Sequence, residues 1–308
     1  MGDLELDTRL SGADGRYSIT MSRDWDIWGP NGGYMAAVAL RAAGMEAKIK
    51  RPVSIACHFL GVPRPDQPVD VRVRAVQAGR RAESIHVEYG QGDRAIVQAI
   101  VRTAAEMPGV AHNFARMPDV PHWSKLKSFL DYIPDPPNPV PFWTNLESRI
   151  IFTERLFEDE KPLPANLIEW YRFQHTPSSS DPFVDACRSV ILMDTFAWPA
   201  GANPHPRNQR DFQGVNLDVV AWFYDLAPDA EWLLCDYESV IAAGGLVSGN
   251  GRIWTEDGRL IATGGAQVMC LPLPPELKDR WAKDSELMQE QRAKFEAIVA
   301  KEKPPEQG

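Results

Sequence analysis

The segment Gly33–Gly44 (GYMAAVALRAAG) is apolar almost all round and rich in alanine. A helix with that pattern has to be buried on most of its sides. Its small side chains let a sheet wrap closely around it. Segments of strand character flank it: Arg16–Met21 before it, and Arg51–Leu60, Val69–Val76, Ala82–Tyr89 and Ala95–Thr103 after it. Val69–Val76 (VDVRVRAV) alternates at period two, the signature of a half-buried antiparallel strand. One strand, one buried helix and a run of antiparallel strands is an α+β pattern. It lacks the strand–helix alternation of a parallel doubly wound sheet.

The second half repeats this order. Ile168–Phe173 reads as a strand, and Pro182–Phe196 as a helix with Asp181 at its N-cap. Gly214–Tyr224, Glu231–Ala242, Gly245–Trp254 and Arg259–Leu271 read as strands, with a hairpin turn at Thr255–Gly258. Gly79 and Gly244 follow corresponding strands 165 residues apart, and Gly92 and Gly258 lie 166 apart in the next hairpin. A near-constant offset indicates an internal duplication. Prolines crowd the stretch between the halves (Ile133–Phe142, IPDPPNPVPF). The expected organisation is a first unit over 1–115, a Pro-rich linker over 116–164, a second unit over 165–272 and a charged helical tail over 273–308.

A formal net charge of −9 and a pI near 5.3 argue against a nucleic-acid surface as the main function. The first residues show neither a basic n-region nor an apolar h-region, and no run approaches the ~20 apolar residues of a membrane span. The four cysteines (Cys57, Cys187, Cys235, Cys270) are scattered without metal spacing. The expectation is a cytoplasmic protein with reduced core cysteines and neither metal nor cofactor.

Three polar residues interrupt stretches that otherwise read as core. Asp194 closes the apolar run Cys187–Asp194, Asn216 stands in Gln213–Asp218 ahead of an aromatic strand, and Gln267 lies late in Leu260–Gln267. Buried polar groups are costly unless paired. A carboxylate and two amides are a set able to hold one water. The residues by themselves equally allow a helix-end carboxylate bonded to local amides and two satisfied strand amides. The loop Trp25–Tyr34 (WDIWGPNGGY) reads either as a tight strand-to-helix connection or as a ligand-facing loop.

Taken in order, these features resemble the TesB-like acyl-CoA thioesterases. The resemblance rests on Trp28–Tyr34 (WGPNGGY) opening the first helix, and on Arg51–Ser54 with Phe59–Leu60 behind it. It continues with the Asp194 helix, Asn216–Asp218, Glu238–Ser239 and Gly251–Ala262 followed by Gln267. It implies a double hotdog, in which each hotdog is an antiparallel sheet wrapped around one helix. It also implies hydrolysis of acyl-CoA to free acid and CoA by an oriented water. The family's trio of aspartate, hydroxyl residue and glutamine would fall on Asp194, Asn216 and Gln267. Asn216 replaces the usual hydroxyl, and Ala266–Val268 lacks the usual Gln-Glu-Gly pattern. Backbone amides of Gly32, Gly33 and Tyr34, at a helix N-terminus, would polarise the thioester carbonyl.

The absence of a G-x-S-x-G elbow fits a mechanism without a covalent intermediate. A hotdog hydratase needs an Asp and a His acting together, and His58 and His86 fall in strand patterns instead. The alternative is a non-catalytic acyl-thioester binding protein, which the amide at 216 favours. Arg80–Arg81 reads better as a solvated turn than as a phosphate site. The expected partners are an acyl-CoA substrate and, through open sheet edges, a second copy in a homodimer or higher oligomer.

Overall fold

The structure is a computed structural model that describes residues 1–137, 139–154, 161–206 and 210–302. Twelve strands form one antiparallel sheet. In chain order they are β1 (Ser11–Ala13), β2 (Arg16–Thr20), β3 (Pro52–Phe59), β4 (Pro68–Ala78), β5 (Ala82–Gln91), β6 (Arg94–Ala104), β7 (Leu146–Arg149), β8 (Asn166–Phe173), β9 (Phe212–Phe223), β10 (Trp232–Ala243), β11 (Leu246–Thr255) and β12 (Leu260–Pro272). Their order across the sheet is β1-β2-β4-β5-β6-β3-β9-β12-β11-β10-β8-β7. The second half is the first half reversed, and the halves join where β3 pairs with β9, Ala56 opposite Val220.

Three long helices accompany the sheet: α1 (Gly32–Glu46), α2 (Pro182–Thr195) and α3 (Pro275–Glu302). Helices α1 and α2 lie antiparallel inside the curved sheet. Cys187 Sγ meets the Ala37 carbonyl at 3.4 Å, and a Cβ on Gly33 would sit against Ile191 while one on Gly44 would meet Phe183. The close approach explains the Ala-rich composition, because larger side chains would push the helix axes apart. Both helices carry side-chain N-caps: Asn31 Oδ1 accepts the Tyr34 N–H at 3.0 Å, and Asp181 Oδ1 accepts the Phe183 N–H at 2.8 Å. The two halves are thus two hotdogs fused side by side, the double hotdog that the sequence implied.

Alternation sets the two faces of the sheet. In β4, Val69, Val71 and Val73 are buried against the helices while Asp70, Arg72 and Arg74 face water. The glycine pairs of the duplication fall at equivalent hairpins. At the β10–β11 turn, Gly244 and Gly245 both adopt positive φ (61° and 79°), as a two-residue turn of matching twist requires.

The outer faces of the halves differ. In the second hotdog, Trp170, Trp232, Leu234 and Trp254 form an apolar layer on the face away from the helices. The Pro-rich segment covers it. Trp123 stacks on Trp232 with ring centroids 4.9 Å apart, and Met117, Val120 and Leu126 pack alongside. This segment also supplies β7, the outermost strand. The edge strands β1 and β7 have only three and four residues, so the sheet does not end in the long open edges that homo-oligomer pairing was expected to use.

Candidate active site

Asp194 is the penultimate residue of α2 and is only 1% exposed. A carboxylate at a helix C-terminus faces the negative end of its own helix dipole. Here the antiparallel packing points it at the positive N-terminus of α1 instead. Asp194 Oδ2 accepts the Gly33 N–H at 2.6 Å, and Oδ1 accepts Asn216 Nδ2 at 2.6 Å. Asn216 Nδ2 also donates to the Asp194 carbonyl at 2.8 Å, so its amide is fixed from both sides. A Cβ on Gly32 would lie 2.9 Å from both Asp194 carboxylate oxygens and 2.9 Å from the Phe59 ring. Glycine at 32 is what lets helix and carboxylate meet.

Burial dominates the acidity of Asp194, pushing its pKa up to about 7. The Asn216 and Gly33 hydrogen bonds oppose that rise, and the negative charge of Asp218 adds to it. Among the described residues, no cation pairs with Asp194. The group therefore exchanges its proton near neutrality, the range in which a general base is most effective.

The sequence-derived residues separate into two groups. Asp194, Asn216, Gly32 and Gly33 come together. Two of the three amides assigned to carbonyl polarisation are already engaged: Gly33 donates to Asp194, and Tyr34 donates to its helix cap Asn31. Their capture follows from the orphan amides of a first helical turn, which take the nearest acceptor. The Gly32 N–H, at the first helical position, has no acceptor within the helix.

Gln267 lies on the other face of the sheet. Its neighbours Ala266 and Val268 point into the core. Gln267 Nε2 instead reaches Ser248 Oγ at 3.4 Å, and its backbone N–H donates to Asp218 Oδ1 at 3.1 Å. The cause is a bulge. Gln267 pairs with Asp218 and Val268 pairs with Asn216, so Leu217 is an extra residue in β9. The bulge turns Asn216 inward and leaves Asp218 and Gln267 outside.

Two neighbours of the site, though part of the motifs quoted from the sequence, were not assigned to it. Asn31 Nδ2 donates to Thr195 Oγ1 at 3.3 Å, bracing the loop before α1 against the residue after Asp194. An asparagine before an Ala-rich run is a readable cap signal. Phe59, which walls the site opposite Gly32, carries no such signal, because its place depends on the bend of β3.

The fold is a double hotdog with one buried carboxylate held at a helix N-terminus. The chain matches the acyl-CoA thioesterase N-terminal domain over residues 21–104 and the acyl-CoA thioesterase C-terminal domain over residues 108–270, and it belongs to that family. It is 26% identical over 256 residues to human acyl-coenzyme A thioesterase 8, covering 75% of this chain and 77% of that one. It is 26% identical over 249 residues to acyl-CoA thioesterase 2 of Haemophilus influenzae, covering 75% and 84%. Among solved structures, a hotdog-fold protein from Alicyclobacillus acidocaldarius superposes with a TM-score of 0.74 at 20% identity, covering 88% of this chain and 98% of its own. The acyl-CoA thioesterase II TesB2 of Mycobacterium marinum gives 0.69 at 20% identity, with the same coverage. The enzyme is an acyl-CoA thioesterase, and the non-catalytic alternative is not favoured. Among the described residues no helix is long and apolar enough to cross a membrane.

Proposed function

We propose that acyl-CoA is hydrolysed at the meeting point of α1 and α2, with Asp194 as the base that activates water. The observation that carries this reading is the buried Asp194 carboxylate, held by the Gly33 and Asn216 hydrogen bonds at the N-terminus of α1. Water held by Asp194 adds to the thioester carbonyl while its proton passes to the carboxylate. The Gly32 N–H and the positive end of α1 stabilise the resulting oxyanion. The C–S bond then breaks, and the departing CoA sulfur takes the proton back from Asp194. Asn216 is a positioning residue, because its amide bridges the Asp194 backbone carbonyl and carboxylate Oδ1 and so holds the carboxylate against the end of α2. Gln267, bonded to Ser248 on the outer face, has no role in this scheme. The same reading takes acyl-CoA as the substrate and the cytoplasm as the place of action.

The test is thiol release from acyl-CoAs of graded length by wild type and by Asp194→Asn. General-base catalysis typically contributes ~10²–10⁴-fold, so the variant should fall by that factor. Undiminished turnover in the variant would overturn the assignment of the base.

A further inference from the structure

A substrate reaches Asp194 only past the groups that cover it. Phe59 of β3 and Gly32 of α1 lie against the carboxylate and Asn216 of β9 bonds it, so the loop before α1, the loop behind β3 and the start of β9 border the site. Their outward side chains are apolar and exposed. Trp28 is 53% exposed, Leu60 53%, Val62 59% and Phe212 49%. A Cβ on Gly29 would lie 3.1 Å from Val62, which joins the first two segments into one rim.

The start of α3 lies across this rim. Leu273 N–H donates to the Asp211 carbonyl at 2.8 Å, and Lys278 Nζ pairs with the Asp211 carboxylate at 2.5 Å, beside Phe212. One turn on, Trp281 meets Trp28, with ring centroids 6.2 Å apart. Farther along, Gln291 exchanges hydrogen bonds with the backbone of Asp135, and Phe295 packs on Tyr132 and under Lys127. The helix is thus anchored at its far end and bridges both sides of the rim at its near end. It also lies beyond residue 270, where the match to the family's domains stops.

We propose that the first turns of α3 form a strap along the rim of the substrate entrance, latched by Trp281 on Trp28 so that it covers only the surface a long acyl chain would use, and that the latch makes the enzyme selective for acyl length. Trp281 occupies the apolar surface of Trp28 that a long acyl chain would cover, so the two compete. A palmitoyl chain gains enough contact with Trp28, Leu60 and Val62 to displace the indole, whereas an acetyl group does not. A ligand shifts a conformational balance only through such differential contact. This deepens the thioesterase reading and rests on it.

The experiment compares wild type, Trp281→Ala and Trp281→Phe with palmitoyl-CoA and acetyl-CoA. Trp281→Ala should lower KM for palmitoyl-CoA by about two- to tenfold, the range one aromatic pair represents, with kcat and the acetyl-CoA KM unchanged. Trp281→Phe should stay near wild type. An equal shift for both substrates, or none, would overturn the proposal. Hydrogen exchange over residues 275–285 of Asp194→Asn gives a readout free of turnover. Exchange should quicken with palmitoyl-CoA and not with CoA alone, and unchanged exchange would also overturn the strap. Should wild type release no thiol from any acyl-CoA, the thioesterase reading fails while the exchange measurement still judges the strap.

Discussion

The two ends of the α1–α2 pair are related by the duplication, yet one is built for chemistry and the other for packing. At both ends a glycine of α1 gives up its side chain so that a residue of α2 can fill the space. At the first, Gly32 makes room for the Asp194 carboxylate. At the second, Gly44 makes room for the Phe183 ring, whose atoms would lie 2.7–2.9 Å from an added Cβ. The caps differ in the same sense. Neutral Asn31 caps α1 and leaves the Gly33 N–H for Asp194. Asp181 caps α2 with its own charge, satisfies the first amides there and is paired with Arg41 at 2.5 Å. Counted from the two caps, Gly44 (13 residues after Asn31) is the counterpart of Asp194 (13 residues after Asp181), so one end carries a carboxylate where the other carries no side chain.

Substitutions at the two ends should therefore have effects of different kinds. The largest is expected at Asp194. Asp194→Asn should reduce turnover by ~10²–10⁴-fold while raising stability at alkaline pH. The sign follows from burial. The folded-state pKa of about 7 lies above the ordinary value of 3.8, so this contribution to stability is complete below pH ~4 and is lost as pH rises through 7. At ~1.4 kcal/mol per pH unit the loss reaches roughly 4 kcal/mol by pH 8. Thermal melts at pH 5 and pH 8 should show the gap between variant and wild type widening with pH, and a constant gap would contradict the burial argument.

Gly32→Ala comes next. Its methyl would enter both contacts of the carboxylate, and misplacing a catalytic group by about 1 Å costs ~10²-fold. The fall should appear in kcat, beside a stability loss of about 1–3 kcal/mol from the clash with the carboxylate and the Phe59 ring. Asn216→Ala should cost about tenfold in kcat, about one hydrogen bond to a charged group. It should also move the acidic limb of the pH–rate profile upward, because the lost bond had favoured the charged form of Asp194. A downward move would show that Asn216 acts in some other way.

The packing end should answer in stability alone. Gly44→Ala drives a methyl into the Phe183 ring and should cost about 1–3 kcal/mol in chemical denaturation, with kcat retained. Asp181→Ala removes a cap worth ~1 kcal/mol and should likewise leave kcat unchanged. A catalytic defect in either variant would mean that the two ends are coupled through the helices.

Much of this was legible in the chain because it depends on local spacing. The period-two strands, the buried helix at Gly33–Gly44, the Asp181 cap and the glycines of equivalent hairpins follow from side-chain periodicity and backbone sterics. The proposal of Asp194 and Asn216 drew on the family resemblance as well, because an acid closing an apolar run reads equally as a helix-end carboxylate bonded to local amides. The long-range decisions belong to the tertiary structure. Asp194 and Gly33 are 161 residues apart, and only the antiparallel helix pair brings them within 2.6 Å. In an unbroken strand Asn216 and Asp218 would share one face. The single extra residue at Leu217 sends one to the carboxylate and the other outward beside Gln267. A bulge depends on what lies across the ladder, so whether Gln267, which the resemblance assigned to the site, shares a face with Asn216 was undecidable from β12 alone. The amides at Gly33 and Tyr34 were visible as a helix N-terminus. That they were already engaged depended on which acceptors the fold carried to them.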